Sequence, residues 1–244
     1  MVKKILVIIG LCLLGGYLIF AAFFFERKPQ DKICNQFEIV VNNEDTDRFI
    51  EIADLEKDID AKGLNPYGKQ LKEVNTLAIQ EALLANKLIK SAEVFITSGG
   101  GIRAVIIERI PILRVIPSAG ESYYIDKDGE KMPLSSHNTA YLPIATGEIK
   151  DELAKTDLYK FALFLCKDEF WNAQIEQIVV QPKDEVTLIT RIGNQEVLMG
   201  KLDNVESKLD RLKKFYTQAL PATGWNRYTK INLKYDKQVV GTKR

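Results

Sequence analysis

The chain has 244 residues, 46% of them hydrophobic and 27% charged, an ordinary balance for one or two globular domains with a real core. Lys and Arg number 34 against 33 Asp and Glu, so the formal charge of +1 provides no broad positive field to hold a phosphate backbone. His137 is the single histidine, which excludes any two-His metal site, and 3 cysteines cannot form a closed disulfide framework.

Met1, Val2, Lys3 and Lys4 form a short basic start. Ile5 to Phe25 then carries no charged residue and would span about 31 Å as a helix at about 1.5 Å per residue, the thickness of a bilayer's hydrocarbon core. With Lys3 and Lys4 before it and Glu26, Arg27 and Lys28 after it, the charge rule for membrane helices predicts a cytoplasmic start and an exported remainder. A cleaved signal peptide is the competing reading. The run is longer than a usual signal core of about 7 to 15 residues and ends in Phe23, Phe24 and Phe25 without an Ala-x-Ala site. Bulky Leu11 before Cys12 argues against a lipoprotein cleavage site.

From Phe37 the pattern becomes globular. Phe37, Ile39 and Val41 alternate with polar neighbours, as a half-buried strand does. Ile52, Leu55 and Ile59 then share a helical face, with Asp54 as one candidate N-cap, a start near Asp47 as the equal alternative, and Gly63 as the stop. A second helix is predicted over Thr76 to Ala85, with Ala78, Ile79, Ala82 and Leu83 on one stripe and Asn75 as its cap. Ala92, Val94 and Ile96, the turn Ser98 to Gly101, and Ile102, Ala104 and Ile106 read as a hairpin. Pro111, lacking an amide hydrogen, is expected to end its last strand.

A second unit follows. Tyr123 to Ile125 lead into a turn at Asp126 to Gly129, and Pro133 and Pro143 bracket a polar loop holding His137. Thr156 is the candidate cap of a helix lined by Leu158, Phe161, Ala162 and Leu165. Strands are predicted at Ile175 to Val180, Glu185 to Ile192 and Gln195 to Met199, as a meander. Asp203 with Glu206 spells a capping box for a helix through Val205, Leu209, Leu212, Tyr216 and Ala219 that Pro221 ends. Thr229 to Tyr235 alternates Ile231, Leu233 and Tyr235 against Lys230, Asn232 and Lys234, and is expected at an open sheet edge.

Several features have a bland reading that outweighs the functional one. Gly99, Gly100 and Gly101 lack the Gly-Lys-Ser/Thr of a phosphate loop and precede a strand, so they read as a turn. Asp126, Asp128 and Gly129 lack the later ligands of a calcium loop. His137 could be offered as a general base in an exported hydrolase, but no oriented nucleophile is evident and a solvated loop histidine is the simpler reading. Trp171 and Trp225 are expected in cores, and Cys34 and Cys166 as free thiols.

Three local strings, Leu88 to Val94, Glu108-Arg109-Ile110-Pro111 and Ile231-Asn232-Leu233-Lys234-Tyr235, stand in order behind the apolar run. In these the chain resembles the bacterial cell-division FtsQ/DivIB family over nearly its whole length. It departs from the family in having Val115 and Ile116 where a tryptophan is usual after the junction proline. The resemblance implies an α+β chain with a single N-terminal transmembrane helix, a POTRA domain of order β-α-α-β-β, then a mixed β domain with flanking helices. The divisions are residues 1–4 cytoplasmic, 5–25 transmembrane, 26–36 linker, 37–111 POTRA, 112–235 β domain and 236–244 tail.

The resemblance further implies a non-catalytic bitopic scaffold of the divisome in the cell inner membrane at the septum, with periplasmic C-terminal domains. It implies no cofactor, and partners of the FtsB/DivIC and FtsL types bound through the terminal edge strand, helping control septal peptidoglycan synthesis. The family's Arg-Tyr pair falls on Lys234 and Tyr235; lysine keeps the charge and loses the bidentate fork. The partner-binding set is Asn232, Lys234, Tyr235, Gln238, Val239 and Val240, the last three placed by neighbourhood. The alternative is a POTRA-containing envelope receptor for protein assembly or secretion. Such chains normally carry a transmembrane barrel, for which too few strands remain here.

Overall fold

A computed structural model describes residues 10, 13–20, 32–43 and 48–244. Most of the expected membrane span and the start of the linker lie outside the described residues. Residues 13–20 are helical, with Leu13, Leu14, Tyr17, Leu18, Ile19 and Phe20 all exposed. Among the described residues no helix is long and apolar enough to cross a membrane.

The chain divides into two compact units. The first contains β1 (Phe37–Val41), α1 (Ile52–Ala61), α2 (Thr76–Leu84), most of β2 (Ile89–Ile96) and most of β3 (Ile102–Glu108). This is the expected β-α-α-β-β order. The sheet runs β1-β3-β2, with β1 parallel to β3 from Phe37 opposite Ile102 to Val41 opposite Ile106. Ile39, Leu55, Ile59, Ile79, Leu83, Ala104 and Ile106 are buried, so the stripes read from spacing are the ones that pack.

The caps were half legible. Asn75 Oδ1 accepts from the Ala78 amide at 3.0 Å, as its position predicts. Asp54 does not cap: α1 begins at Ile52, and Asp54 sits in its first turn, where a negative charge meets the positive end of the helix dipole; Asp47, the alternative start, lies outside the described residues. Between β2 and β3 the Thr97 amide donates to Gly101 O at 2.8 Å, and Gly100 takes φ +87°, the left-handed backbone that glycine adopts without strain. Cys34 is buried, its thiol donating to Gln36 O at 3.3 Å; Cys34 and Cys166 are both free thiols, as expected.

The second unit is built on β4 (Pro111–Pro117), β5 (Tyr123–Asp126), β6 (Lys131–Met132), β7 (Ile144–Gly147), β8 (Ile175–Gln181), β9 (Glu185–Thr190), β10 (Glu196–Gly200), β11 (Tyr228–Asn232) and β12 (Val240–Lys243). These form one mixed sheet ordered β12-β11-β10-β9-β8-β7-β4-β5-β6. The meander β8-β9-β10 is antiparallel as expected, whereas β7 is parallel to both β4 and β8, and β10 is parallel to β11. Pro111 opens β4 rather than closing β3, and β4 was not foreseen as a strand. Its apolar run PILRVIP buries Ile112, Leu113 and Val115 inside the sheet, and proline is tolerated as a first strand residue.

Helix α3 (residues 151–167), α4 (Glu169–Gln174) and α5 (residues 205–223) flank the sheet. Their apolar faces, Leu158, Phe161, Ala162 and Leu165 on α3 and Leu209, Leu212, Tyr216 and Leu220 on α5, join Ile178, Leu188, Val197 and Ile231 in one core. Trp171 is buried there, its ring edge-on to Phe170 at 4.9 Å, while Trp225 stands edge-on to Tyr216 at 5.3 Å.

Three expected helix boundaries shift. Thr156 does not cap; its hydroxyl donates back to Glu152 O at 2.7 Å inside a π-helical stretch, Ala154–Leu158, of a helix already under way at Asp151. No capping box forms at Asp203 and Glu206, because Asn204 takes the cap position at φ +49° and Asp203 turns to the Lys208 ammonium. Pro221 does not end α5. A π-helical turn at Phe215–Ala219 precedes it, and the helix runs on to Thr223, stopping at Gly224 with φ +92°.

The string Glu108-Arg109 is structural within this unit. Glu108 is buried and its carboxylate accepts from Asn43 Nδ2 at 2.7 Å and from the amides of Phe49 and Ile50 at 3.3 and 3.1 Å. Arg109 Nη1 meets Asp126 Oδ2 at 2.7 Å, and Asp126 Oδ1 accepts from the amides of Asp128 and Glu130, so that carboxylate is committed to closing its own turn.

Candidate partner-binding edge

The last two strands form an antiparallel pair, with Asn232 opposite Val240, Ile231 opposite Gly241, Lys230 opposite Thr242 and Tyr228 opposite Lys243. The strand expected over Thr229 to Tyr235 therefore stops at Asn232, and it is not the edge. Its outer side is taken by β12, and the edge lies one strand further out. The chain turns back through Asp236 and Lys237, where Lys237 takes φ +60° and its amide is accepted by Asp236 Oδ1 at 3.0 Å. Among the described residues no strand lies on the outer side of β12, so its outward main-chain donors and acceptors meet no strand partner.

The six residues singled out in the sequence fall on this hairpin. Asn232 ends β11 and its Oδ1 accepts from the Lys234 amide at 2.9 Å. Val240 opens β12 and is 42% exposed. Tyr235 stands in the link with 53% of its surface exposed, Gln238 is exposed, and Val239 is half-buried against the core. Lys234 is engaged within the chain, its ammonium on the Glu185 carboxylate at the start of β9.

Four contributors were missed. Gly241 is one: the Tyr228 ring covers its backbone. Thr242 and Lys243 complete β12, and the β-branched run Val239, Val240 after an Asp-Lys turn was the available signal for a returning strand. Arg211 on α5 is the fourth. Its Nη2 donates to Leu233 O at 3.1 Å and reaches Tyr235 O at 3.5 Å, and its Nη1 donates to Ser207 Oγ at 3.1 Å. No local pattern marks a helix arginine whose partners lie 22 residues away.

The electrostatics are lopsided. Between Arg227 and Arg244 there are six basic residues and one acid, Asp236, in a chain whose total is +1. Lys230 pairs with Glu196 at 3.1 Å and Lys234 with Glu185; Arg227, Lys237, Lys243 and Arg244 make no ion pair among the described residues. An edge of this kind can add a strand and favours one that brings carboxylates.

A three-stranded β-α-α-β-β unit followed in the chain by a mixed sheet with a basic terminal hairpin defines a two-part, POTRA-bearing type of protein. Residues 32–107 match the POTRA-like domain and residues 110–242 match the family described as FtsQ/DivIB, C-terminal related. The chain belongs to the FtsQ/DivIB family. It is 28% identical over 152 residues to the cell division protein FtsQ of Salinibacter ruber (strain DSM 13855 / M31), a match covering 58% of this chain. The match spans 59% of that relative's length.

Proposed function

We propose that the protein is a non-catalytic bitopic scaffold of the divisome. It captures FtsB/DivIC-type and FtsL-type partners on the outer side of β12 and helps control septal peptidoglycan synthesis. The observation that carries this reading is a nine-stranded sheet ending in a basic hairpin whose short outer strand has an open side among the described residues. A partner strand satisfies the outward backbone groups there, and side chains at alternate positions discriminate between partners. Val240, Gln238 and Tyr235 flank the entry to that edge; Asn232 and Val239 shape it from behind.

Lys234 has a different part from the one its family position suggests. Held by Glu185, it meets a partner carboxylate only in competition with that ion pair. The cytoplasmic start at 1–4, the anchor over 5–25 in the inner membrane and the linker over 26–36, with both units periplasmic, belong to the same proposal. Its support is the charge-free run from Ile5 to Phe25 and the basic residues before it. The expected bounds at 111 and 235 move, since Glu108 to Arg244 falls in the second unit and β12 belongs to its sheet.

The test is site-specific photocrosslinking in dividing cells with the reactive group at Val240, Thr242 or Tyr235. Capture of an FtsB/DivIC-type chain from all three positions is expected. Capture from β1 positions such as Glu38, with none from β12, would refute the edge assignment.

A further inference from the structure

We propose that Arg211 is a positioning residue for the edge strand, a clamp that fixes where β12 begins; the inference rests on the reading of β12 as the binding edge. The link between β11 and β12 spans residues 233–239. At its start the Leu233 amide still bonds Leu198 O at 2.9 Å, and beyond it the chain leaves β10. There the Arg211 guanidinium takes over, accepting no bond itself and donating to the carbonyls of Leu233 and Tyr235, with Asp236 Oδ1 at 4.0 Å from its Nη1. Only 16% of the side chain is exposed, and the bond to Leu233 O is part-buried and little weakened by water, while the longer contact to Tyr235 O is open to solvent.

The guanidinium is itself held from below. Ser207 Oγ accepts from Nη1, one turn back along α5, which fixes the plane of the fork. Asp203, Lys208 and Lys201 crowd the same open cavity of about 640 Å³. There Lys208 Nζ donates to Lys201 O at 2.8 Å and to the Asp203 carboxylate, so the neighbouring cation is tied away from Arg211 and its carbonyls. A lysine at 211 would keep the charge but has no planar fork to span two carbonyls and a serine hydroxyl.

The consequence is a division of labour. Helix α5, through Arg211, sets the exit of β11, and the turn at Asp236 and Lys237 then delivers Val240 opposite Asn232. Without the clamp the link is released, and the register of a four-residue strand paired on one side is left to its ladder with β11 and to the Tyr228 ring over Gly241.

The experiment compares the full chain in detergent with Arg211→Lys and Arg211→Met, the second keeping an apolar stem of similar length. Hydrogen exchange is read at residues 240–243 and, as internal reference, at β8 and β9. Amide exchange in 240–243 is expected to accelerate at least tenfold in both variants with β8 and β9 unchanged. A disulfide between Lys230→Cys and Thr242→Cys, in a background with Cys12 and Cys166 replaced by serine, should restore protection. Unchanged exchange at 240–243, or equal acceleration throughout the sheet, overturns the clamp. Capture of the periplasmic segment of an FtsB/DivIC-type protein, measured on the same variants, separates the two ideas. A tenfold loss regained with the disulfide supports both, whereas selective loosening of 240–243 with undiminished capture leaves the clamp standing and removes β12 as the binding edge.

Discussion

The ring of Tyr228 lies over the backbone of Gly241, so close that a Cβ at 241 would stand 2.5 Å from Tyr228 Cδ1 and 2.7 Å from Cε1. Tyr228 cannot easily retreat, because its other side stands edge-on to Phe215 at 5.6 Å. The aromatic ring thus covers the glycine and binds the edge strand to the α5 face of the sheet, a device that protects a weak strand position.

Gly241→Val should therefore peel β12 away while leaving the core intact. The expected outcome is a loss of partner capture of at least tenfold with a melting temperature within a few degrees of wild type, since an edge strand carries little of the global stability. Affinity measurement and thermal denaturation on the same preparation check both halves. A variant that binds normally would show that the ring and glycine are not coupled to the edge.

The Asp126 carboxylate closes a turn and neutralises Arg109 at once, and is 1% exposed. Asp126→Ala removes both functions and leaves two turn amides and a partly buried guanidinium without partners. A destabilisation of about 3 kcal/mol is expected by urea denaturation, with the unfolding slope unchanged.

Acid should loosen the start of α5. The hydrogen bond from Lys208 holds the Asp203 carboxyl below the usual aspartate range. Because the folded value lies below the unfolded one, the stabilisation is present above the ordinary aspartate value of about 3.9 and disappears as pH falls through the lower folded value. Asp203 is exposed to solvent, so the effect is at most about 1 kcal/mol. Asp203→Asn should be slightly less stable than wild type at neutral pH and equal to it at the bottom of the acid transition, by denaturant melts across that range.

The basic hairpin should make capture salt-sensitive. Raising salt from about 0.05 to about 0.5 M shortens the Debye length several-fold and should slow association markedly while changing dissociation little. Stopped-flow or surface-based kinetics separate the two rates. Association that ignores salt would remove the electrostatic part of the proposal.

Periodicity carried much of the fold because burial acts on spacing: the Leu55/Ile59 and Leu209/Leu212 stripes and the β8-β9-β10 alternation all pack as their patterns require. What local pattern could not show was decided at a distance. Thr156 and Asp203 are competent caps that the structure spends otherwise, one on a carbonyl four residues back and the other on a lysine five residues on. Pro111 argued for an end to pairing and instead began a central strand, since its burial comes from β7 and β5 on either side. At the site, the hairpin residues were legible, but the extra strand outside Asn232 and the Arg211 clamp depend on contacts that no short window contains.

The most direct measurement is a hydrogen-exchange footprint of the full chain with and without the periplasmic segment of an FtsB/DivIC-type protein. The account predicts new protection at residues 240–243, with smaller changes at Tyr235 and none on β1. Protection confined to β1 or to the β6 end of the long sheet, with β12 exchanging as fast as in the free chain, would contradict it.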